Sequence, residues 1–458
     1  MELQFAGGSY ESAVVPFSAQ RAVNVFTEVA EAGARAPAML RRRPGLAAFA
    51  TGGGYDSRGA VVMGGVLYVV WGRDLFSVTS LGVVTRLGTV GGTGPVGIVA
   101  DTSSVAIVNG TTSSIVYDGS FQTVTLPFAA DTVDYDGGYF IYHETDSRRY
   151  FVSALNDPTT HDALDVSTRS DTADNLTRAF PSNGDLVLFG HRRTQLYRNV
   201  GDVDFPYTAQ EGTERDQGTA SPHSIVGLGT VRVPYFLGTD RVVYRINGAQ
   251  IERVSNFGIE QRLAQKSVDE IESAIGQTYT YEGHHFYVLH VGSDTLVFDA
   301  TAAAALGQMV WSEYTTEDGP FVGRHFVEAW GETYCTTDDG RVLRVSREAY
   351  TDAGSNIWCK RTLAPFVSET QNVFLSRMEA ICLTGQDSDA QLKLRVSRDG
   401  GQTWGADSFR ALGASGRYDA RAIWRRLGMS NMGRVFEFSF TADADVAFLV
   451  LSIQAEAA

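Results

Sequence analysis

Cysteine and lysine are both scarce in this chain of 458 residues: Cys335, Cys359 and Cys382 on one side, Lys266, Lys360 and Lys393 on the other. Three widely spaced cysteines with no C-x-x-C pair argue against a disulfide framework and suit free, buried thiols made in a reducing compartment. No run approaches the 18 or so consecutive apolar residues of a membrane-spanning helix. The opening MELQFAGGSYES has neither a basic n-region nor an apolar h-region, so no secretory signal is expected. Motifs that carry chemistry are also missing. There is no P-loop, no H-E-x-x-H and no G-x-S-x-G nucleophile elbow. No cofactor or metal is therefore expected, and no catalytic residue is assigned.

What is present points to strands and turns. Hydrophobic residues make up 43% and charged residues 20%, the balance of a folded chain. Glycine is abundant (48) against proline (12), and 25 Phe and 19 Tyr supply aromatic-rich strands between the turns. The length suits two or three domains. The net charge of −15 is unevenly placed: residues 56–355 hold 38 acids and 21 bases, while the two ends are close to balance. Such a surface repels nucleic acid unless a local patch overrides it. Because nearly all bases are Arg, the composition suits interfaces, where a planar guanidinium makes bidentate pairs; a genomic bias would produce the same composition.

The middle of the chain repeats one layout seven times, at 64–78, 103–119, 137–155, 183–199, 233–248, 283–300 and 331–346. Each copy has a turn residue, an apolar strand, a polar turn and a second strand. The starts recur about every 35 to 50 residues, the period of a four-stranded propeller blade built on a central hairpin. Independent sandwiches in series would not need one hairpin at near-constant spacing. The expected fold is all-β: a β-propeller of six to eight blades over 56–355, a C-terminal β-sandwich over 356–458, and an N-terminal strap or interface arm over 1–55 without a core of its own. The sandwich is read from seven short strands separated by turns. Two interruptions stand out: a polar, acidic stretch at 155–175 reads as a long inter-blade loop, and FGIEQRLAQKSVDEIESAIG after Asn256 reads as helix, with Ile259, Leu263, Ile271 and Ile275 at helical spacing and a break near Ser267.

Candidate sites are few. Ser397, Asp399, Gly401, Thr403 and Trp404 form an Asp-box, Ser-x-Asp-x-Gly-x-Thr-Trp, in which hydroxyls and carboxylate accept from turn N–H groups, glycine supplies positive φ and the indole packs on an apolar sheet. Its role is structural. Arg41, Arg42 and Arg43, with the pair Arg425 and Arg426, are the candidate interface residues. Gly92-Thr-Gly94-Pro-Val-Gly97 matches G-x-G-x-x-G, but no helix follows, and it reads as an inter-blade turn. His284 and His285 face opposite sides of a strand, and His290 is too far along it to share an ion. A sialidase-like glycosidase would draw on Arg73, Asp74, Tyr117, Asp118, Asp240 and Arg241, which merely sit in hairpin turns.

Several segments resemble a known family. RVSRDGGQTWG, AIWRRLG and RVFEFSF near the C-terminus are similar to the tail nozzle, or packaged-DNA stabilisation, proteins of short-tailed bacteriophages. So are Arg21-Ala-Val-Asn24-Val-Phe26-x-Glu28 and Arg43-Pro44-Gly45-Leu46 at the start. Phe151-Val-Ser153-Ala-Leu155-Asn156-Asp157 with Thr160 and Asp162-Ala-Leu164-Asp165, and Ser255-Asn256 with Gly258-Ile259-Glu260, match in order between them. The resemblance implies a non-enzymatic virion component, assembled in the host cytoplasm into a homo-oligomer, typically a hexameric ring. That ring would sit below the portal and a tail adaptor, contact tail fibre, spike or needle proteins, and let packaged DNA pass without sequence-specific binding or membrane insertion. A propeller adhesin or glycan-binding tail component is the alternative from another class, with the glycosidase third.

Overall fold

A computed structural model describes all residues except 1, 4, 31–33, 35, 170–172, 203, 368–371, 387–389, 431, 432 and 458. Among these residues each of the seven hairpins forms the two middle strands of a four-stranded antiparallel sheet, and the sheets stand around one axis as seven blades. The innermost strands are Ser57–Met63, Gly97–Ala100, residues 130–136, Leu176–Ser182, Val226–Leu228, Ile275–Tyr281 and Gly323–Ala329. Blades 2 and 3 share one long strand, Phe121–Asp136. Its first half is the outer strand of blade 2, opposite Ser113–Tyr117, and its second half is the inner strand of blade 3, opposite Tyr139–Glu144. Pro127 falls at the changeover, where the missing N–H takes no bond from either ladder.

The central hairpins are apolar on both faces because each blade is covered on both sides. Leu67, Val69, Val70 and Trp71 are fully buried. Side chains of neighbouring blades interdigitate: Ile141, Tyr150 and Val152 of blade 3 pack with Leu186, Leu188 and Tyr197 of blade 4. Each such side chain contributes roughly 1.5–3 kcal/mol on burial.

The ring is closed by the other end of the chain. Gly45–Thr51 is the outer strand of blade 7, antiparallel to Arg341–Ser346, and runs directly on to the inner strand of blade 1. At Gly45 a Cβ would lie 2.3 Å from the Ala349 carbonyl oxygen, so this strand end admits only glycine.

The sandwich also draws on both ends. One of its sheets orders Ala19–Val23, Cys359–Thr362, Val435–Phe440, Gln391–Ser397 and Ser408–Ala411; the other orders Val25–Val29, Ala38–Arg42, Ala447–Ala457, Val373–Cys382 and Ala422–Ser430. The first sheet continues blade 6, because Val23 pairs in parallel with Glu313 of the outer strand Trp311–Glu313. The chain crosses between sheets at Asn24, whose φ of 55° is a left-handed conformation that asparagine tolerates. The first 55 residues thus supply strands to both bodies, and Phe5, Ala22, Val25 and Leu40 belong to the sandwich core.

Two expectations change. The segment after Asn256 forms two short helices, Phe257–Ala264 and Val268–Glu272, capped by Asn256 and by a Ser267–Glu270 capping box; Ile275 lies beyond them and opens the inner strand of blade 6. The stretch 155–175 is not one loop: Val166–Thr168 within it is the outer strand of blade 3, while 170–172 lie outside the described residues. Short, polar outer strands lack the apolar pattern that marks the central hairpins.

Candidate functional site: the propeller axis and the domain seam

The axis of the propeller is nearly filled. A cavity of about 140 Å³ remains, lined by Arg58, Thr132, Arg178, His223, Gln277 and His325 among others. That is room for a handful of waters at ~30 Å³ each. Arg178 is held by Asp134 (2.7 Å) and by the carbonyls of Pro222 and Ile225. His325 lies 3.1 Å from the Gln277 amide and 3.3 Å from the Ser57 carbonyl. Burial lowers the pKa of His223 and of His325 to about 4, so both are neutral at neutral pH; the Arg178 cation adds to the effect on His223. A DNA duplex, whose major groove alone is ~12 Å wide, does not fit along this axis.

The seam between propeller and sandwich is built on buried ions. Arg43 is 1% exposed; it meets Asp352 through both carboxylate oxygens, donates from Nε to Asn24 Oδ1 (2.9 Å), and reaches the Pro44 and Thr315 carbonyls (3.0 Å each). Its guanidinium also lies over the rings of Tyr314 and Phe321. Asn24 answers with its amide to Thr315 Oγ1 and the Trp358 carbonyl, and its Oδ1 accepts from Thr315 N. A second cluster sets Glu313 between Arg21 (2.7 Å) and Arg262 (2.6 Å). Burial alone would raise the Glu313 pKa, but the two arginines hold it below the ordinary carboxylate value.

The arginine run expected at an interface is therefore engaged inside the chain. Arg41 pairs with Glu28 (2.7 Å) and Glu282, Arg42 donates to the Ala349 carbonyl and stacks on Tyr350, and Arg43 is interior. All three are buried, and apart from Glu28 on the neighbouring strand the partners named lie some 240 to 310 residues further along the chain. Arg425 and Arg426 differ: both are exposed, and neither side chain forms an ion pair or hydrogen bond among the described residues. Arg426 sits at an irregularity opposite Ser376 with φ 58°, the kind of bulge that re-aims a side chain.

The Asp-box closes the turn after Gln391–Ser397. Ser397 Oγ accepts from Gly401 N (2.8 Å) and donates to Asp399 Oδ1 (2.7 Å); Asp399 accepts from Thr403 N (2.9 Å) and from its hydroxyl. Those bonds hold the Asp399 pKa far below the ordinary value. Gly400 and Gly401 have φ of 75° and 105° and rest on Pro16, Val15 and Ala19, so the turn clamps the N-terminal segment. Trp404 is half-buried and stacks under the Arg395 guanidinium, 5.2 Å away, where an apolar sheet was expected.

Other sequence candidates scatter. His284 is buried against Asp299 (2.8 Å) and His285 is exposed. Asp74 pairs with Arg86 in blade 1, and Asp240 with the Tyr244 hydroxyl in blade 5. Among the described residues no group of three or more His, Cys, Asp or Glu side chains is placed to hold a metal ion. The three cysteines are buried and unpaired. Asp352, Glu313 and Arg262 carried no sequence signal, and Asn24 only its place in the family resemblance, since what defines them is contact with distant residues.

A seven-bladed propeller fused through buried ion clusters to a sandwich is a construction for rigidity, and the family comparison identifies which construction. The model described as "Bacteriophage P22 Gp10, beta-propeller" matches residues 1–348, and that described as "Bacteriophage P22 Gp10, beta-sandwich" matches 361–456. The chain belongs to this family, the tail nozzle and packaged-DNA stabilisation proteins of short-tailed phages, and is a structural component of the virion tail. No curated protein matches the sequence. Solved structures of similar outline include a streptogramin B lyase (10% identity, 65% of this chain and 96% of that one, TM-score 0.45). Hsv2 of Kluyveromyces lactis (9%, 69% and 95%, 0.38) and the computationally designed protein Ika8 (8%, 75% and 99%, 0.38) are also among them. At these values they carry no argument about activity. Among the described residues no helix is long and apolar enough to cross a membrane.

Proposed function

We propose that copies of this chain close into a hexameric ring below the portal and adaptor, and that DNA runs between the propellers, not through any of them. The observation that carries this reading is the narrow axis: a cavity of about 140 Å³ lined by Arg58, Arg178, His223 and His325 is too small to pass a duplex. The conduit is then the central space of the ring. The acidic propellers, with 38 acids against 21 bases in residues 56–355, flank it and repel phosphates, so that the genome slides without adhering. Closed symmetry requires matching surfaces on each copy. The free cations Arg425 and Arg426 on the sandwich suit the acidic flank of a neighbouring copy or the adaptor. Loops on the propeller faces offer attachment for fibre, spike or needle proteins. The protein acts mechanically and catalyses no reaction. Virions made without it are expected to assemble and fill but leak DNA, read as nuclease-sensitive genome in purified particles; full retention would overturn the stabilising role. A reconstruction of the tail with duplex running through a propeller axis would overturn the placement of the conduit.

A further inference from the structure

On the face of the propeller where the innermost strands begin, the axis opens into a second cavity of about 330 Å³. Arg58 and Arg73 of blade 1 and the turn Gly92-Thr93-Gly94 that enters blade 2 form one side; Ile275 and Arg324 stand opposite. Arg58, 4% exposed, is a buried cation that forms no ion pair among the described residues, although the carboxylates of Asp56 and Asp338 line the same cavity. Its Nε donates to the Gly94 carbonyl and its Nη1 to those of Gly72 (2.8 Å) and Gly91 (2.7 Å), while Nη2 is buried with no partner. The charged neighbour that acts on it is a second cation, Arg73, which lowers its pKa further below the value that burial sets. The Arg73 side chain is exposed and forms no ion pair or hydrogen bond among the described residues, while its carbonyl accepts from Val90 N and Gly91 N. Arg324 already has Asp338.

The turn completes the arrangement. Gly92 and Gly94 have φ of 68° and 80°, and the amide N–H groups of Gly92, Thr93 and Gly94 have no partner among the described residues. A Cβ at Gly92 would stand 3.3 Å from Asn109 Nδ2 and 3.4 Å from Arg58 Nη2, so the absence of a side chain lets the turn lie directly against the guanidinium. Unanswered guanidinium N–H groups, a free second arginine and a glycine turn with unpaired amides are the donor set that recognises an oxyanion. We propose that this axial mouth binds one phosphate or carboxylate group between Arg58, Arg73 and the 92–94 turn, with Ile275 and Pro95 packing the body of the ligand. At ~30 Å³ per water the cavity exceeds a bare ion and admits a small phosphate ester or dicarboxylic acid. A buried guanidinium facing only carbonyl dipoles is unfavourable, and the bound anion offsets that. The inference does not depend on how copies assemble.

The test is calorimetry and thermal melting of the full chain with inorganic phosphate, glycerol phosphate or succinate, at ionic strength fixed with sodium chloride. The expected result is a saturable rise in Tm with at least one of these probes. Tightest binding of a phosphate assigns a phosphate source, and tightest binding of succinate a carboxylate source. Arg73→Gln is expected to weaken binding at least ten-fold, whereas Arg86→Gln, at an exposed arginine already paired with Asp74, leaves it unchanged. Thr93→Glu, which brings a carboxylate to the cavity, is expected to abolish binding. No saturable shift beyond the chloride control, or unaltered affinity in both Arg73→Gln and Thr93→Glu, overturns the proposal.

Discussion

The propeller and the sandwich are both all-β, yet they are assembled on opposite principles. Each blade is made almost entirely from consecutive strands, and only the outer strand of blade 7 is imported. The sandwich interleaves five strands from the first 42 residues, two of them only two residues long, with seven from beyond residue 358. They also differ in chemistry. The propeller carries the acidic excess and all eight histidines; the sandwich segments carry neither. One body is therefore local in sequence and holds every imidazole, the other is non-local and holds none. The N-terminal 55 residues are what make the two depend on each other.

The sharpest way to break that pairing is to remove residues 1–51. The deletion takes away the ring-closing strand and five sandwich strands together, and no soluble folded product is expected by circular dichroism and gel filtration. Deleting only residues 361–458 should instead leave far-ultraviolet signal of propeller strands. Mild acid should separate the bodies next. His223 and His325 (about 4) and His290 (about 3) titrate in the folded state below the unfolded value of 6.5, chiefly through burial. The unfolded chain therefore takes up protons first. Stability is complete above pH 6.5 and falls by about 1.4 kcal/mol per pH unit per imidazole down to about pH 4. Hydrogen exchange at pH 5 should report loss of protection in the propeller before the sandwich.

At the seam, Arg43→Met should destabilise by ~3–5 kcal/mol in denaturant titrations, because it strands the buried Asp352 carboxylate. Arg43→Met with Asp352→Leu should recover most of that loss; if the double variant is as unstable as the single one, the pair is not the source of the effect. Asp399→Ala in the exposed Asp-box turn should lower Tm slightly, and loosen residues 14–19, which the turn holds down, in hydrogen exchange. Smallest in the isolated chain is Arg425→Gln with Arg426→Gln. Its stability should stay within ~0.5 kcal/mol of the parent, with the deficit appearing only in assembly, as a weaker oligomer by analytical ultracentrifugation.

Legibility in the sequence follows the same division. The seven central hairpins were readable because partners such as Leu67 and Val78 lie close in the chain and share an alternating apolar pattern. The seven C-terminal sandwich strands were readable from their apolar patterns and turns alone, although their partners lie far apart in the chain. The outer strands were not: Val166–Thr168 is three polar-flanked residues that nothing local distinguishes from loop. The role of the N-terminal segment was half visible, as a strap without a core, but its registers with strands three hundred or more residues away leave no local trace. Arg43 shows the limit most clearly. Three consecutive arginines read as surface until Asp352, 309 residues on, is known to lie against the third. Arg58 was equally silent, since its lack of an ion pair is a property of the folded ring alone.

The strand Gly45–Thr51 has a consequence for how the molecule is made. It leaves the ribosome about three hundred residues ahead of its neighbour Arg341–Ser346. Until that neighbour is made, the nascent polypeptide must carry an unsatisfied edge, a template for pairing with a sister chain on the same message. Completion of each molecule is thus a single late event in which head meets tail, and crowding many unfinished copies together favours exchange of that segment between them.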